Sequence, residues 1–538
     1  MTRAVPRSVI LFACMLAIVT SIPYLVGWLL TPLGYTYTGA AALPSGAAVD
    51  YHSHLAKIWQ GTDGVFGYQL LFTHEDHAAV PFVQGFYTIL GALSPLSPPL
   101  TYHLARFVCT FLMVIALWRF GAHFFERSRD CWTFLLFSTL VTGVSWILLI
   151  INPAQASQIA PIELWLTDAY NLAGALFMPH FAAAVGLQIA AWLLFLEWIA
   201  NGRQITLVWL TLALAALSII QPYVILLTGI VAGAYALIVL IRKQITFARL
   251  VPLMLPFGLH AAISLYQAWI INSDPVWAGF SAQNITHSPP PIYYLLGYLP
   301  LLIPAALALP ALRKQLNSHW LLPLIWIVVV ALLLYAPIPT QRRYLLGVQT
   351  PLALIATFGW SMFTARWKHI HETMLKAALT ALAGAPIILM IVSNTAALAN
   401  VPHDAYLSSD ETAAVTWLKQ DECASTTTIF TTFDWNGRGS GGRLVAATGL
   451  RVYIGHWIET VDFDAKIENV RRLYDPAESD DFRIDLLEDA QIGYVWYDDY
   501  ARAVGRWSPD DAAFLTRAFE TSTVIVYRVR GSECDPPP

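Results

Sequence analysis

Runs of about twenty apolar residues, separated by short charged stretches, constrain this chain more than any other feature of it. A helix needs about 20 such residues to cross the roughly 30 Å hydrocarbon core of a bilayer. Hydropathy predicts about eleven crossings, near 8–30, 101–122, 131–151, 182–200, 205–220, 222–241, 250–271, 292–311, 320–337, 344–363 and 376–397. Composition agrees, with 57% hydrophobic and 12% charged residues, a mean hydropathy of +0.56 and 20 Trp. A soluble chain of 538 residues would not tolerate that balance. The net charge of −4 is too small to argue for nucleic acid.

Charge sets the orientation. The first segment follows Arg3 and Arg7, runs long and has no small-residue cleavage site, which reads as a signal anchor with its N-terminus cytoplasmic. Connections on the cytoplasmic side then carry Arg127 and Arg129; Arg203; Arg242, Lys243 and Arg249; Arg313 and Lys314; and Arg366 and Lys368. On the other side, the loop 31–100 has only Lys57, and loops 152–181 and 272–291 have no Lys or Arg. This is the positive-inside pattern of a plasma (inner) membrane protein. An odd number of crossings leaves residues 400–538 extracytoplasmic.

Past Asn400-Val401-Pro402 the chain becomes more polar, and a small soluble α/β domain is predicted over 400–538, following a polytopic all-α membrane bundle over 1–399. Ser408 or Ser409 caps a helix through Leu418, with Asp410 and Glu411 in its first turn. Strands are expected at 426–432, 492–497 and 523–529, and helices at 464–474, 482–490 and 508–519. Cys423 precedes the first strand and Cys534 follows the last, so a disulfide is geometrically open to them if those strands are antiparallel neighbours. Two unpaired thiols are the alternative. Cys14, Cys109 and Cys131 lie in or beside apolar segments and read as inert core residues.

Chemistry gathers in two places. The first loop holds Asp50-Tyr51-His52-Ser53-His54, then Lys57, then His74-Glu75-Asp76-His77. Ionisable residues at a membrane face are costly unless solvated or paired. A carboxylate there can take a proton from an acceptor hydroxyl, and carboxylates with imidazoles can hold a divalent metal. The plainer reading is a solvated loop, and no zinc signature such as HExxH is present. The second place is Gln341-Arg342-Arg343-Tyr344, where an arginine pair falls on the extracytoplasmic side against the topology rule. Guanidinium groups bind phosphate oxygens bidentately; snorkelling toward anionic lipid is the alternative. Only one of the two need face a site. Glu163, Asp168 and His180 in the loop 152–181 are further acceptor-groove candidates. The sequon Asn284-Ile285-Thr286 reads as chance.

A signal-anchor helix leading into a long loop with an early Asp (Asp50), an amphipathic stretch ending in Glu75-Asp76, and a late Arg-Arg-Tyr-Leu-Leu entering the Pro351 helix resembles the GT-C class of integral membrane glycosyltransferases. That class includes protein mannosyltransferases and aminoarabinose transferases. The resemblance implies a polyprenyl-phosphate sugar donor, Asp50 as catalytic base, Glu75 or Asp76 as a second acid, and Arg342 or Arg343 beside Tyr344 as phosphate contacts. His52, His54, Lys57 and His77 are further substrate-binding candidates in the same loop, with plain solvated side chains as the alternative for the histidines. The class pattern of two adjacent acids is not met, since Tyr51 follows Asp50, and metal dependence stays open. The tail is similar to the soluble tails of bacterial membrane proteins of this type, through Gly437 to Arg443 and Arg451 to Trp457. The glycine-rich loop can offer backbone N–H groups to an anion, although a plain surface loop explains it as well. His456, Trp457 and Glu459 can form a sugar-binding surface, or Trp457 can anchor the tail at the interface.

The expected activity is inverting sugar transfer from a polyprenyl-phosphate donor to an acceptor hydroxyl on a protein, lipid or glycan. The alternative is a transporter or flippase of lipid-linked sugars, against which stands the lack of an evident internal repeat. A non-enzymatic assembly protein would leave the first-loop acids idle.

Overall fold

The structure, a computed structural model, describes residues 4–154, 161–313, 319–402 and 405–534; Arg3 and Lys314 of the charge pattern lie outside the described residues. The described chain is mostly helical and divides into two compact units. One comprises residues 1–21, 103–268 and 285–392, and the other 22–102, 269–284 and 393–538.

The first unit is a helical bundle. Among the described residues, five helices are long and apolar enough to cross a membrane: Pro98–Phe124, Pro179–Asn201, Val224–Ile241, Phe247–Ser273 and His369–Leu398. Two bent pairs, Arg7–Val19 with Ile22–Leu29 and Pro291–Gly297 with Leu299–Leu312, raise the number to seven. Gln204–Ile220 and Leu321–Leu333 are apolar but shorter. The expected span 131–151 is not one helix, because Ser128–Thr139 ends there and the chain resumes as short turns at Ser145–Ile147 and Leu148–Ile151. Thr142 holds the break, its N–H and hydroxyl both donating to the Ala383 carbonyl at 3.0 and 2.6 Å. The expected span 344–363 begins its helix only at Gln349. Large aliphatic side chains such as Leu237, Ile241, Leu265 and Ile388 are exposed on these helices, as lipid-facing surfaces require.

The second unit is built on the helix Ser45–Thr62, which packs on Gly85–Leu93. Gly61 lies directly on the Thr88 carbonyl and Gly91 on the Ile58 carbonyl, so a methyl group at either position would strike backbone. Its sheet runs in the order Thr428–Phe430, Ile492–Tyr497, Ile525–Val529, Leu515–Glu520. The first pair is parallel and the other two are antiparallel, with Trp496 opposite Val526 and Leu515 opposite Val529. Apolar clusters cover both faces, Phe430, Tyr474, Val495 and Tyr527 on one and Leu418, Val452, Trp496 and Val526 on the other. A separate pairing joins Tyr35–Tyr37 to Tyr406–Ser408.

Ser408 is the cap of the helix Ser409–Gln420, in a capping box: Glu411 N–H donates to Ser408 Oγ at 3.2 Å and Ser408 N–H to Glu411 Oε2 at 2.8 Å. The strand Ile492–Tyr497 falls where the sequence places it. The expected helix over 508–519 is overturned. Pro509–Asp511 makes a single 3₁₀ turn, and Leu515–Glu520 is an edge strand in a hairpin with the last strand. Helix-favouring residues in the segment yield there to ladder pairing and to Arg517, which reaches back to Asp510 at 2.5 Å. Cys423 and Cys534 are disulfide-bonded with Cα atoms 5.4 Å apart. The strands beside them are not neighbours; Ile492–Tyr497 lies between, and the turn Cys423–Ser425 brings the thiols together instead.

Candidate active site

The helix Ser45–Thr62 carries Asp50, Ser53 and Lys57 at spacings that place them along one face. Residues 455–460 of the same unit form a tight loop closed on itself. Thr460 Oγ1 accepts from the N–H groups of Gly455 and His456 at 3.2 and 3.3 Å, and Thr460 N–H donates to the His456 carbonyl at 3.1 Å. His456 Nδ1 accepts from the N–H groups of both Ile458 and Glu459 at 3.1 Å. Its lone pair is therefore committed, and the ring proton resides on Nε2. That nitrogen lies 3.7 Å from Asp50 Oδ1, with the imidazole 4% and the carboxylate 50% exposed.

Glu459 is the hub beneath. Oε1 meets Lys57 Nζ at 2.8 Å and the Ser53 hydroxyl at 2.5 Å, and Oε2 accepts from the Tyr68 hydroxyl. Burial pushes the Glu459 carboxyl up, but Lys57, His456 and the hydrogen bonds outweigh it and hold it at about 2. Burial lowers the Lys57 ammonium, with Glu459 opposing. These two shifts pull the pair in opposite senses. With several donors on one carboxylate, the ionised pair is the state the geometry supports. Lys57 and Glu459 thus face each other in the interior, not a ligand on the surface.

Glu75 meets Lys466 Nζ at 2.8 Å and accepts from the Thr73 hydroxyl. Asp76, 81% exposed, lies 3.5 Å from Arg451. His77 donates from Nδ1 to the Glu75 carbonyl at 2.7 Å and accepts at Nε2 from the Leu70 N–H at 2.8 Å, so both nitrogens are occupied by backbone. His74 stacks on Tyr453, and burial lowers its imidazole to about 4. His52 is buried, and His54 stacks on Tyr87 at 4.1 Å. The tail surface expected from His456, Trp457 and Glu459 is not an open platform. Trp457 is partly buried against Phe433 and donates to the Asp434 carbonyl at 3.2 Å. In the glycine-rich loop Arg438 pairs with Asp434 at 2.9 Å and Arg443 with Glu411 at 2.7 Å, so both cations have protein counter-charges.

In the first unit, Arg342 and Arg343 lie on the 3₁₀ turn Gln341–Leu345, with Tyr344 buried. Arg342 N–H donates to the Thr286 carbonyl at 3.0 Å, fixing the turn. Arg343 Nη1 is 3.4 Å from Asp168 Oδ2, and the Arg342 guanidinium lies over the Trp165 ring at 5.6 Å. Asp168 is turned inward to this arginine. Glu163 is likewise buried, accepting from the Ser145 hydroxyl and the Trp146 N–H at 2.5 and 2.7 Å. His180 lies at the start of the helix Pro179–Asn201, beside Phe181.

No family model matches the sequence, and comparison with curated proteins returns no match. Among solved structures, apo ArnT from Cupriavidus metallidurans is similar with a TM-score of 0.51 and 12% identity, over 97% of this chain and 98% of that one. The chain has a GT-C fold. The same enzyme bound to undecaprenyl phosphate scores 0.49 at 12% identity over 97% and 99%. The Archaeoglobus fulgidus oligosaccharyltransferase scores 0.49 at 12% identity over 98% of this chain and 75% of that one.

Within this GT-C fold the first-loop donors do not fit a divalent metal. Glu75 is held by Lys466, Asp76 by Arg451 and His77 by backbone. Among the described residues no three His, Cys, Asp or Glu side chains converge on one point. Sequence reasoning missed Ser53, Tyr68, Thr73 and Lys466. Lys466 had a signal: in the helix Phe463–Leu473 it shares the buried face with Phe463, Ile467 and Val470, where a cation requires an anion.

Proposed function

We propose that the chain is an inverting glycosyltransferase that moves a sugar from a polyprenyl-phosphate donor to an acceptor hydroxyl at the extracytoplasmic face of the plasma membrane. The observation that carries this reading is Asp50, a half-exposed carboxylate faced by an imidazole whose tautomer is locked, in a chain of GT-C fold. Asp50 takes the acceptor proton as the hydroxyl oxygen attacks the anomeric carbon. The bond from that carbon to the phosphate oxygen breaks, and the lipid phosphate leaves as an anion. Arg342 and Arg343, the latter beside Asp168, are the guanidinium groups that would contact that phosphate. A single displacement requires one base and a good leaving group, and no step here runs through a metal. In this reading the membrane-spanning helices hold the donor's lipid, the N-terminus is cytoplasmic, and residues 400–538 are extracytoplasmic. The acceptor is a protein, lipid or glycan hydroxyl.

The test incubates reconstituted protein with a panel of polyprenyl-phosphate sugars and a crude envelope extract, following sugar loss by mass spectrometry. Asp50→Asn is expected to lose turnover by at least about a hundredfold while binding donor normally. Arg342→Gln with Arg343→Gln is expected to weaken donor binding by about tenfold or more. Intact donor bound equally by wild type and Asp50→Asn would refute the transferase and favour a transporter.

A further inference from the structure

We infer that His456 is the positioning residue of Asp50, presenting an Nε2–H donor to Oδ1 that orients the carboxylate toward its substrate. This deepens the proposed transfer reaction and rests on Asp50 being its base. The geometry itself rests on neither.

Three observations converge. First, two backbone N–H groups, from Ile458 and Glu459, occupy His456 Nδ1 at 3.1 Å each. With Nδ1 accepting from two donors, the ring carries its N–H on Nε2. Donation from Nε2 is what remains to it. Second, His456 Nε2 is buried without a hydrogen-bond partner and lies 3.7 Å from Asp50 Oδ1. That is ion-pair range but longer than a hydrogen bond, and catalytic contacts of this kind shorten when substrate binds. Third, the mount is rigid. The loop is closed by Thr460, and Glu459 is pinned to Lys57 and Ser53 on the helix that carries Asp50. The ring itself packs against Phe72 at 5.6 Å between centroids. Base and donor are therefore held by two segments fastened together one helical turn from the point of reaction. Charged groups that act on the pair include Lys57, which interacts electrostatically with Asp50, and Glu459, which does so with His456.

Two substitutions separate positioning from structure. The amide oxygen of His456→Asn replaces Nδ1 as acceptor for the loop N–H groups but offers nothing toward Asp50. The amide nitrogen of His456→Gln replaces Nε2 as donor. A water-soluble carbodiimide with glycine ethyl ester adds to protonated carboxyl groups, and its rate at Asp50 can be read by peptide mass spectrometry on the full-length protein at pH 6. We expect His456→Asn to raise that rate about three- to tenfold, as a carboxylate losing a donor to its ionised form should. His456→Gln should stay within about twofold of wild type. With a turnover assay in hand, His456→Asn should lower kcat about tenfold and leave the donor KM unchanged, with His456→Gln restoring most of it.

Equal labelling rates in all three proteins, or an equal rise in both variants, would overturn the inference. ¹⁵N spectra of histidine-labelled wild type, with His456 assigned by its loss in the Gln variant, test the tautomer without relying on the stability of a variant. A proton on Nδ1 of His456 would overturn the inference by itself. If labelling behaves as expected but no sugar panel is consumed, the pair stands and the transferase reading falls.

Discussion

Removing one partner of the Lys57–Glu459 pair should be among the most damaging single changes in the second unit. Lys57 is 1% and Glu459 4% exposed in their side chains. Glu459→Gln keeps one of the two acceptor oxygens that Ser53 and Tyr68 use and leaves the ammonium buried without that counter-charge; Lys57→Met removes the carboxylate's cation. Breaking a buried pair from one side costs about 3–5 kcal/mol. At about 2–4 °C per kcal/mol for a unit of this size, each single variant should melt roughly 10 °C below wild type. The double variant buries no charge and should recover to within about 2 kcal/mol of wild type. The pH dependence of the two singles distinguishes them. In Lys57→Met, burial raises the Glu459 carboxyl with its main opposing charge gone, so stability is present at low pH and lost as pH rises through the raised value. In Glu459→Gln the unpaired Lys57 is lowered, so the deficit appears as pH falls from the alkaline side. Thermal unfolding followed by tryptophan fluorescence at pH 5, 7 and 9 reads all of this. Single variants melting within 2 °C of wild type, or a double no better than the worse single, would refute the reasoning.

The His74 imidazole, lowered by burial to about 4, binds its proton in the unfolded chain well before it does so in the folded one. The unfolded state therefore holds more protons between about pH 6.5 and 4, and His74 should cost the fold up to about 3 kcal/mol across that window as pH falls. His74→Phe, which keeps the stack on Tyr453, should flatten the dependence of unfolding temperature on pH over the same range. Cys423 and Cys534 close a loop of 111 residues, so Cys423→Ala with Cys534→Ala should lower stability by about 2–4 kcal/mol. Wild type treated with a reductant should melt alongside that double variant.

Features governed by local chemistry were legible in the sequence. The capping box at Ser408, the strand Ile492–Tyr497 and the polar first loop all follow from nearest-neighbour rules or simple periodicity. Features set by distant partners were not. The segment after Ser508 carries helix-favouring residues, yet pairing with the last strand decides its shape. The break after Thr139 depends on a carbonyl at position 383, which no local window contains. The disulfide formed through a turn that the strand argument had not considered. Asp50 and the arginine pair were visible as anomalies of charge in an apolar chain. Their partners were harder to see: Asp168 reads as an acceptor-groove residue until Arg343 is found beside it, and Glu459 as a sugar ligand until Lys57 is.

Those partners sharpen the case for Asp50. Three ion pairs join the segment 57–76 to the segment 451–466 within the second unit, Lys57 with Glu459, Glu75 with Lys466 and Asp76 with Arg451. Each matches a charge of the first loop with its opposite in the tail, and Glu75 and Asp76, two of the loop's four carboxylates, are accounted for in this way. Exposure alone does not select Asp50, since Asp76 is more exposed. What selects it is the neighbour. Asp76 faces a flexible guanidinium at a wet surface, where an ion pair contributes little. Asp50 faces a ring that is buried, held at Nδ1 by two backbone N–H groups and clamped through Glu459 to the helix Asp50 stands on. A buried donor held this tightly without a hydrogen-bond partner of its own is a cost to folding. Such a cost is understandable where the group it faces has chemistry to perform.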